Sequence, residues 1–306
     1  MSGQEVVFGF GAHSGIDDRP ELLRMVERAD RDGLDLFSLS DHPYLGERLD
    51  AYATIGFVLG RTRRIAGFAN VTNLPTRPAP MLARTVTSLS TLSGGRVVLG
   101  MGAGGLWDRI SAMGVPRLSP SDAVDAFEEA IVLVKKLSGG GPPVTFHGRH
   151  YQVDRIEPAP VAAPPVWTGS VGRKSLAATG RVADGWIPGH AADWHSERYR
   201  TSRPVIDEAA AAVGRDPREV RTIFNFPGRV TDTPLPATRD RDGRWVGGSV
   251  EQWVEELTGA VLEHGASGFM LFSPEGGTPD EVSVGRWANE IVPAVREASV
   301  LDALPG

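Results

Sequence analysis

Two hydrophobic registers take turns along the chain. Apolar runs of strand length lie at 6–10, 34–40, 65–70 and 96–101, and each is followed by apolar residues at helical spacing. The first predicted helix carries Leu22, Met25, Val26 and Ala29 on one face, with Asp17 or Asp18 as its cap and Gly33 as its stop. Further helices are expected near 51–61 and over 78–93, where Leu82, Thr85, Val86, Leu89 and Leu92 share a face. Ser119-Pro120-Ser121-Asp122 reads as cap, N1 proline and N3 acid of a helix running to 137. After an interruption, strands at 165–169, 185–188, 220–226 and 268–272 take turns with helices at 172–181, 193–213, 249–263 and 279–297. The helix at 249 opens on a capping box, Ser249-Val250-Glu251-Gln252.

Strand–helix pairs recurring along the whole chain predict an α/β protein, a (β/α)8 TIM barrel over 1–306 as one domain. Two segments fall outside the alternation and read as insertions. One contains a hairpin, within 138–165, turning at His147-Gly148; the other is a polar, proline-rich loop at 228–248. His147 and His150 are placed on the hairpin surface, and a lid is the reading for the long loop.

Composition narrows the function. The 306 residues are 41% hydrophobic and 23% charged, enough for a full core. The absence of cysteine excludes disulfides, thiolate metal sites and thiol nucleophiles, and fits a cytoplasmic protein. Residues 1–5 show no signal-peptide pattern, and no apolar run reaches membrane-spanning length. A net charge of −6 without a basic stripe argues against nucleic acid as a partner.

The most informative local run is 89–105. It joins a helix end, Gly94-Gly95, a short strand, and a loop with Gly102, Gly104 and Gly105. Glycines there let a backbone approach a flat or anionic ligand, because no Cβ stands in the way. A dinucleotide fingerprint would need a helix starting inside the motif, whereas this loop runs on to Pro116 and Pro120. In a barrel the chemistry sits at the C-terminal strand ends. Those positions hold His13, Ser40-Asp41-His42, Asn70-Val71-Thr72-Asn73, Gly102 to Asp108, Gly169 to Arg173, Trp186 to His190, Asn225, and 273–275. They lack the paired histidines and clustered carboxylates of a metal-dependent hydrolase, so no metal is expected.

These motifs, in this order, resemble the bacterial luciferase-like monooxygenase superfamily over essentially the whole chain. The most specific parts are Leu92-Ser93-Gly94-Gly95-Arg96-Val97 with Leu99-Gly100-Met101-Gly102-Ala103-Gly104, and Trp167-Thr168-Gly169 with Asp184-Gly185-Trp186. The resemblance implies a (β/α)8 barrel, a homodimer, and FMN or the deazaflavin coenzyme F420 at the strand ends. Ser40-Asp41-His42 resembles the F420 branch, where FMN members more often carry Glu-His. It implies an oxidoreductase exchanging hydride between F420 and a small organic substrate. A two-component FMN monooxygenase and a flavin-binding protein without catalysis stay open as alternatives.

By the same resemblance, Asp41 contacts the ring or relays a proton, and Asn70-Val71 forms a non-prolyl cis peptide behind the ring. Gly102, Ala103 and Gly104 line the ring and ribityl chain, Asp108 reaches the ribityl hydroxyls, and Gly169, Ser170, Gly172 and Arg173 hold the phosphate. His42 suits acid–base work because its pKa is near neutrality. His13, Trp107, Trp186, His190 and Asn225 are the candidate substrate wall. One departure stands out: the family's sugar-phosphate dehydrogenases carry a glutamate directly after the glycine loop, where this chain has Gly105, and the only lysines are Lys135, Lys136 and Lys174. Sugar-phosphate oxidation is therefore disfavoured, and an apolar or amphipathic substrate is expected.

Overall fold

A computed structural model describes residues 5–275 and 277–301. Residues 1–4, where no signal pattern was read, lie outside it. The strands are β1 (Val7–Ala12), β2 (Leu36–Leu39), β3 (Ala66–Ala69), β4 (Thr72–Asn73), β5 (Leu99–Gly102), β6 (Val144–His147), β7 (Gln152–Ile156), β8 (Val166–Thr168), β9 (Gly185–Trp186), β10 (Arg221–Pro227), β11 (Arg229–Val230), β12 (Gly247–Gly248) and β13 (Gly268–Phe272). The helices are α1 (Arg19–Asp32), α2 (Ala51–Leu59), α3 (Ala79–Ser93), α4 (Trp107–Ala112), α5 (Pro120–Lys136), α6 (Arg173–Val182), α7 (Glu197–Ala212), α8 (Val250–His264), α9 (Glu281–Arg286) and α10 (Val292–Leu301).

Nine parallel strands pair in the order β3-β2-β1-β13-β10-β9-β8-β5-β4. β3 and β4 are two pieces of one barrel position, separated by the cis peptide Asn70–Val71. A bridge between Gly67 and Val97 joins β3 to the start of β5 and closes the ring. The result is a (β/α)8 barrel. One side chain from each position plugs its interior: Val7, Leu36, Phe68, Val98, Trp167, Ile187, Ile223 and Met270. The larger core lies between strands and helices and holds Phe10, Phe37, Val86 and Phe127 among others. No described helix is long and apolar enough to cross a membrane.

Several boundaries differ from the pattern-based expectation. Asp18 stands at the N-cap of α1, but its side chain makes no cap bond. The loop after β5 contains the helix α4, which buries a single residue, Ile110, and so has no visible period. α7 begins at Glu197 rather than near 193, because Ser196 accepts the Tyr199 N–H as its cap. The last helix is interrupted by a π turn at Trp287–Ile291. Pro293 lies just beyond it; a proline inside a helix has no N–H to donate and crowds the preceding turn, which the wider turn accommodates. The hairpin β6–β7 is antiparallel as expected. Within the 228–248 loop, the start and end pair as β11 and β12, in parallel.

Asp30 shows how α1 fixes the approach to β3. Its buried carboxylate accepts the backbone N–H groups of Arg63, Arg64 and Ile65 at 3.0, 2.7 and 2.8 Å. Burial alone would raise its pKa, but the N–H groups of Ile65, Arg64 and Arg63, with the charge of Arg96, outweigh it and hold it below the ordinary value. A depressed folded pKa contributes stability above the unfolded value, lost as pH falls through the folded one. Asp30→Asn should therefore cost about 1.5–3 kcal/mol at neutral pH. Urea denaturation should show the gap to wild type closing in acid; a gap independent of pH would contradict this account.

Candidate functional site

The C-terminal mouth of the barrel holds a cavity of about 390 Å³ lined by Asp41, His42, Tyr44, Asn70 to Asn73, Gly102 to Leu106, Gly169 and Val171. A second, of about 250 Å³, shares His42 and Asn70 with it and adds Ala12, His13, Ser38, Ser40, Arg48, Phe272 and Gly277. A third, of about 620 Å³, lies under the 228–248 loop and includes His190, Arg229, Arg244 and Trp245.

Part of the first cavity's lining is glycine backbone. A Cβ on Gly102 would stand 2.8 Å from Val71 Cγ2, and one on Gly169 would stand 3.2 Å from the same atom. Two glycines on neighbouring strands thus make room for Val71, the residue after the cis bond. Gly104 has φ +99°, a conformation that favours glycine, and its missing Cβ leaves space for Pro75. Leu106 caps α4 with φ 38° and exposes its side chain at the cavity lip.

Asp41, which also lines this cavity, belongs to an ionic frame. Asp41 is buried, and Arg77 Nε and Nη2 donate to its two oxygens, both at 2.7 Å. The Asn73 N–H donates to the same carboxylate at 3.0 Å. Arg77 also bonds Asp50 at 2.7 Å and lies 4.8 Å from the centroid of the Tyr52 ring. Burial works against the Arg77 charge, but its bonds to Asp41 and Asp50 outweigh that and hold it above its ordinary pKa. Asp41 thereby ties the loop after β2 to the loop after β4.

His42 follows on the same loop, half-buried. Its Nδ1 lies 2.7 Å from the Tyr44 hydroxyl. If Nδ1–H donates to Tyr44, Nε2 is left as an acceptor; if Tyr44 donates, Nε2 carries the proton. Burial lowers the His42 pKa, Arg48 lowers it further, and Asp41 opposes both. Neutral imidazole is therefore the resting form at neutral pH. Tyr44 is raised, first by burial, and stays a phenol.

The remaining candidates separate. His13, Ser40 and Asn70 meet at the second cavity, where Asn70 Nδ2 donates to Asn225 Oδ1 at 2.9 Å. Asn225 thus supports Asn70 rather than lining that cavity. His190 lines the third cavity, its pKa lowered by burial. Gly172 and Arg173 open α6 beside Gly169, but the buried Ser170 hydroxyl turns inward and accepts from Thr179 Oγ1 at 2.9 Å. Asp108 points away: its side chain is 90% exposed and paired with Arg117. Trp107 sits on α4, its ring edge 3.4 Å from where a Gly104 Cβ would lie. Trp186 is not on a substrate wall. It is fully buried against Leu176, Ile206, Ala210 and Val220, and its Nε1 donates to the Ser170 carbonyl. Side chains alternate across a strand, and its neighbour Ile187 takes the barrel interior, so Trp186 faces the helices.

Sequence reading missed Tyr44, Arg48 and Arg77. Tyr44 carries a local signal, standing two residues from His42; the partners of the two arginines are visible only in three dimensions. Among the described residues, Asp122, Asp125 and His150 come within 4.8 Å of one another, but Lys174 and Arg149 already pair with the two aspartates.

Comparison with known proteins places this geometry in context. The family model described as luciferase-like monooxygenase matches residues 6–271. An F420-dependent glucose-6-phosphate dehydrogenase of Microbacterium testaceum is 28% identical over 76% of this chain and 71% of its own length. An F420-dependent hydroxymycolic acid dehydrogenase of Mycobacterium tuberculosis is 27% identical over 76% of this chain and 65% of its own. Among solved structures, the coenzyme F420 dependent tetrahydromethanopterin reductase of Methanopyrus kandleri superposes with a TM-score of 0.77 at 18% identity, covering 94% of this chain and 99% of that one. A riboflavin lyase, solved with modified FMN, gives the same TM-score at 15% identity, covering 97% and 92%. At these identities the superpositions speak for the fold.

Proposed function

The chain belongs to the luciferase-like monooxygenase family, and from that premise we propose that it is an F420-dependent oxidoreductase exchanging hydride with a small organic substrate at the barrel mouth. One observation carries the reading. The 390 Å³ cavity is lined both by Gly102, Gly169 and Val71 and by His42, a neutral acid–base group. The F420-dependent curated relatives support the deazaflavin over FMN.

The residues fit such a group. Gly102, Ala103 and Gly104 present backbone to a flat ring, and the N-terminus of α6 at Gly172 and Arg173 offers N–H groups and a cation to its phosphate. Asp108 stands outside this arrangement, exposed and paired with Arg117, and makes no ribityl contact in it. When bound, the deazaflavin supplies a two-electron hydride acceptor or donor that reacts poorly with oxygen. Asp41, locked by Arg77, positions the His42 loop rather than moving protons. His42 takes the substrate proton in one direction of hydride transfer and returns it in the other. A homodimer belongs to this reading on the family relation; sedimentation velocity tests it.

Gly102→Val tests the cradle. A side chain there displaces Val71 and fills the ring's wall, and if overpacking of about 1–3 kcal/mol falls on the bound state, F420 binds weaker by roughly five- to 150-fold. A fluorescence titration showing unchanged affinity would remove the ring from this wall. The FMN alternative makes the opposite chemical forecast: oxygen uptake with reduced FMN, and no turnover with F420.

A further inference from the structure

The second cavity contains a cation that the proposed chemistry does not use. Arg48 lines it, half-buried, and its Nη1 donates to the neutral Ser40 hydroxyl at 2.7 Å. Among the described residues, no carboxylate lies within salt-bridge distance of it, whereas Arg77, its counterpart on the cofactor side, has two. Arg48 is also rigidly placed. The Ile16 and Leu49 N–H groups donate to the Glu47 and Ser14 carbonyls at 2.9 and 2.8 Å, pinning its loop to the one after β1. The other lining side chains are His13, Ser38, Ser40, His42 and Asn70, with the Phe272 ring as the apolar surface.

We infer that Arg48 is the receptor for an anionic group, and that the substrate is a small organic acid whose carboxylate meets Arg48 and Ser40. A partly desolvated guanidinium without an acid is held at a cost unless a ligand completes it, and its planar fork matches a carboxylate. Among the described residues Arg48 is the single permanent cation lining the cavity, which suits a monoanion better than a phosphate dianion. Phe272 accepts the apolar body, and His42, shared by both cavities, stands between the acid and the ring wall. This inference deepens the function proposed above and rests on it for the identity of the neighbouring cavity.

The probes are phenylacetate and its neutral isostere phenylacetamide, titrated by ligand-observed NMR into the full chain with and without F420. The acid should bind about tenfold more tightly than the amide. Arg48→Gln should abolish that preference, and Arg48→Lys should keep part of it by keeping the charge. Circular dichroism is the check that both variants fold. Equal affinity for acid and amide, no binding of either, a preference that survives Arg48→Gln, or inorganic phosphate displacing phenylacetate with higher affinity would each overturn the inference. If F420 binds but the preference is absent, this inference fails alone. If the preference appears in a protein that binds no F420, the cofactor reading fails and the acid site stands.

Discussion

His42→Ala is expected to lower turnover by about two to four orders of magnitude while leaving F420 affinity within about threefold of wild type. Hydride leaving a carbinol carbon requires a base for the hydroxyl proton, and His42 is the neutral, half-buried group shared by both cavities at the barrel mouth. As a base it requires the tautomer in which Nδ1–H donates to Tyr44, which leaves the Nε2 lone pair free. Burial and Arg48 lower its pKa, with Asp41 opposing. In the oxidising direction the rate should rise with pH through a value below about 6.5 and be level at neutral pH. The variant should lose that acid limb. An unchanged rate, or a limb centred above the ordinary histidine value, contradicts the assignment. The measurement is a pH profile of F420 reduction on a substrate found by loss of deazaflavin fluorescence.

Asp41→Ala should destabilise the fold by about 3–5 kcal/mol, because it strips a buried partner from Arg77 and leaves the Asn73 N–H without its acceptor. Asp50 still pairs with Arg77, so the lower end of the range is expected. F420 affinity should fall as well, since Asn73 lines the cavity proposed for it and loses its bond to Asp41. Replacing both partners, Asp41→Ala with Arg77→Met, should recover part of the stability, because no buried charge is then left unpaired. Urea denaturation and an F420 titration measure both effects. A single variant within about 1 kcal/mol of wild type would contradict an ionic frame at this wall.

Much of this was legible in one dimension because strand and helix periods differ. The eight barrel positions and the Gly102–Gly104 wall follow from patterns a few residues long. The resemblance located Asn70–Val71, and the bond there is cis. Legibility failed where the decisive contact is distant or the element short. Asp41, expected to contact the ring or relay a proton, does line the cavity, but its partner Arg77, which takes both oxygens, is 36 residues away and was not foreseen. Asp108 lies near the glycine loop in sequence, but the unforeseen α4 carries it into solvent. Trp186 stands at a strand end, where position alone does not say which face it takes.

The substrate question divides the chain from its sugar-phosphate relatives at particular residues. Gly105 lines the first cavity at the position where the resemblance would lead one to expect a glutamate in a sugar-phosphate dehydrogenase, and among the described residues the second cavity offers one arginine and no lysine. The substrate proposed above, an amphipathic acid, rests on that inventory.

The most direct test of the central claim is a competitive titration of the apoprotein with F420 and FMN, followed by fluorescence. The expected result is saturable F420 binding at micromolar or tighter affinity, with FMN unable to displace it at comparable concentration. Displacement of F420 by equimolar FMN would place the protein on the monooxygenase side, and binding of neither would contradict the assignment of the cavity.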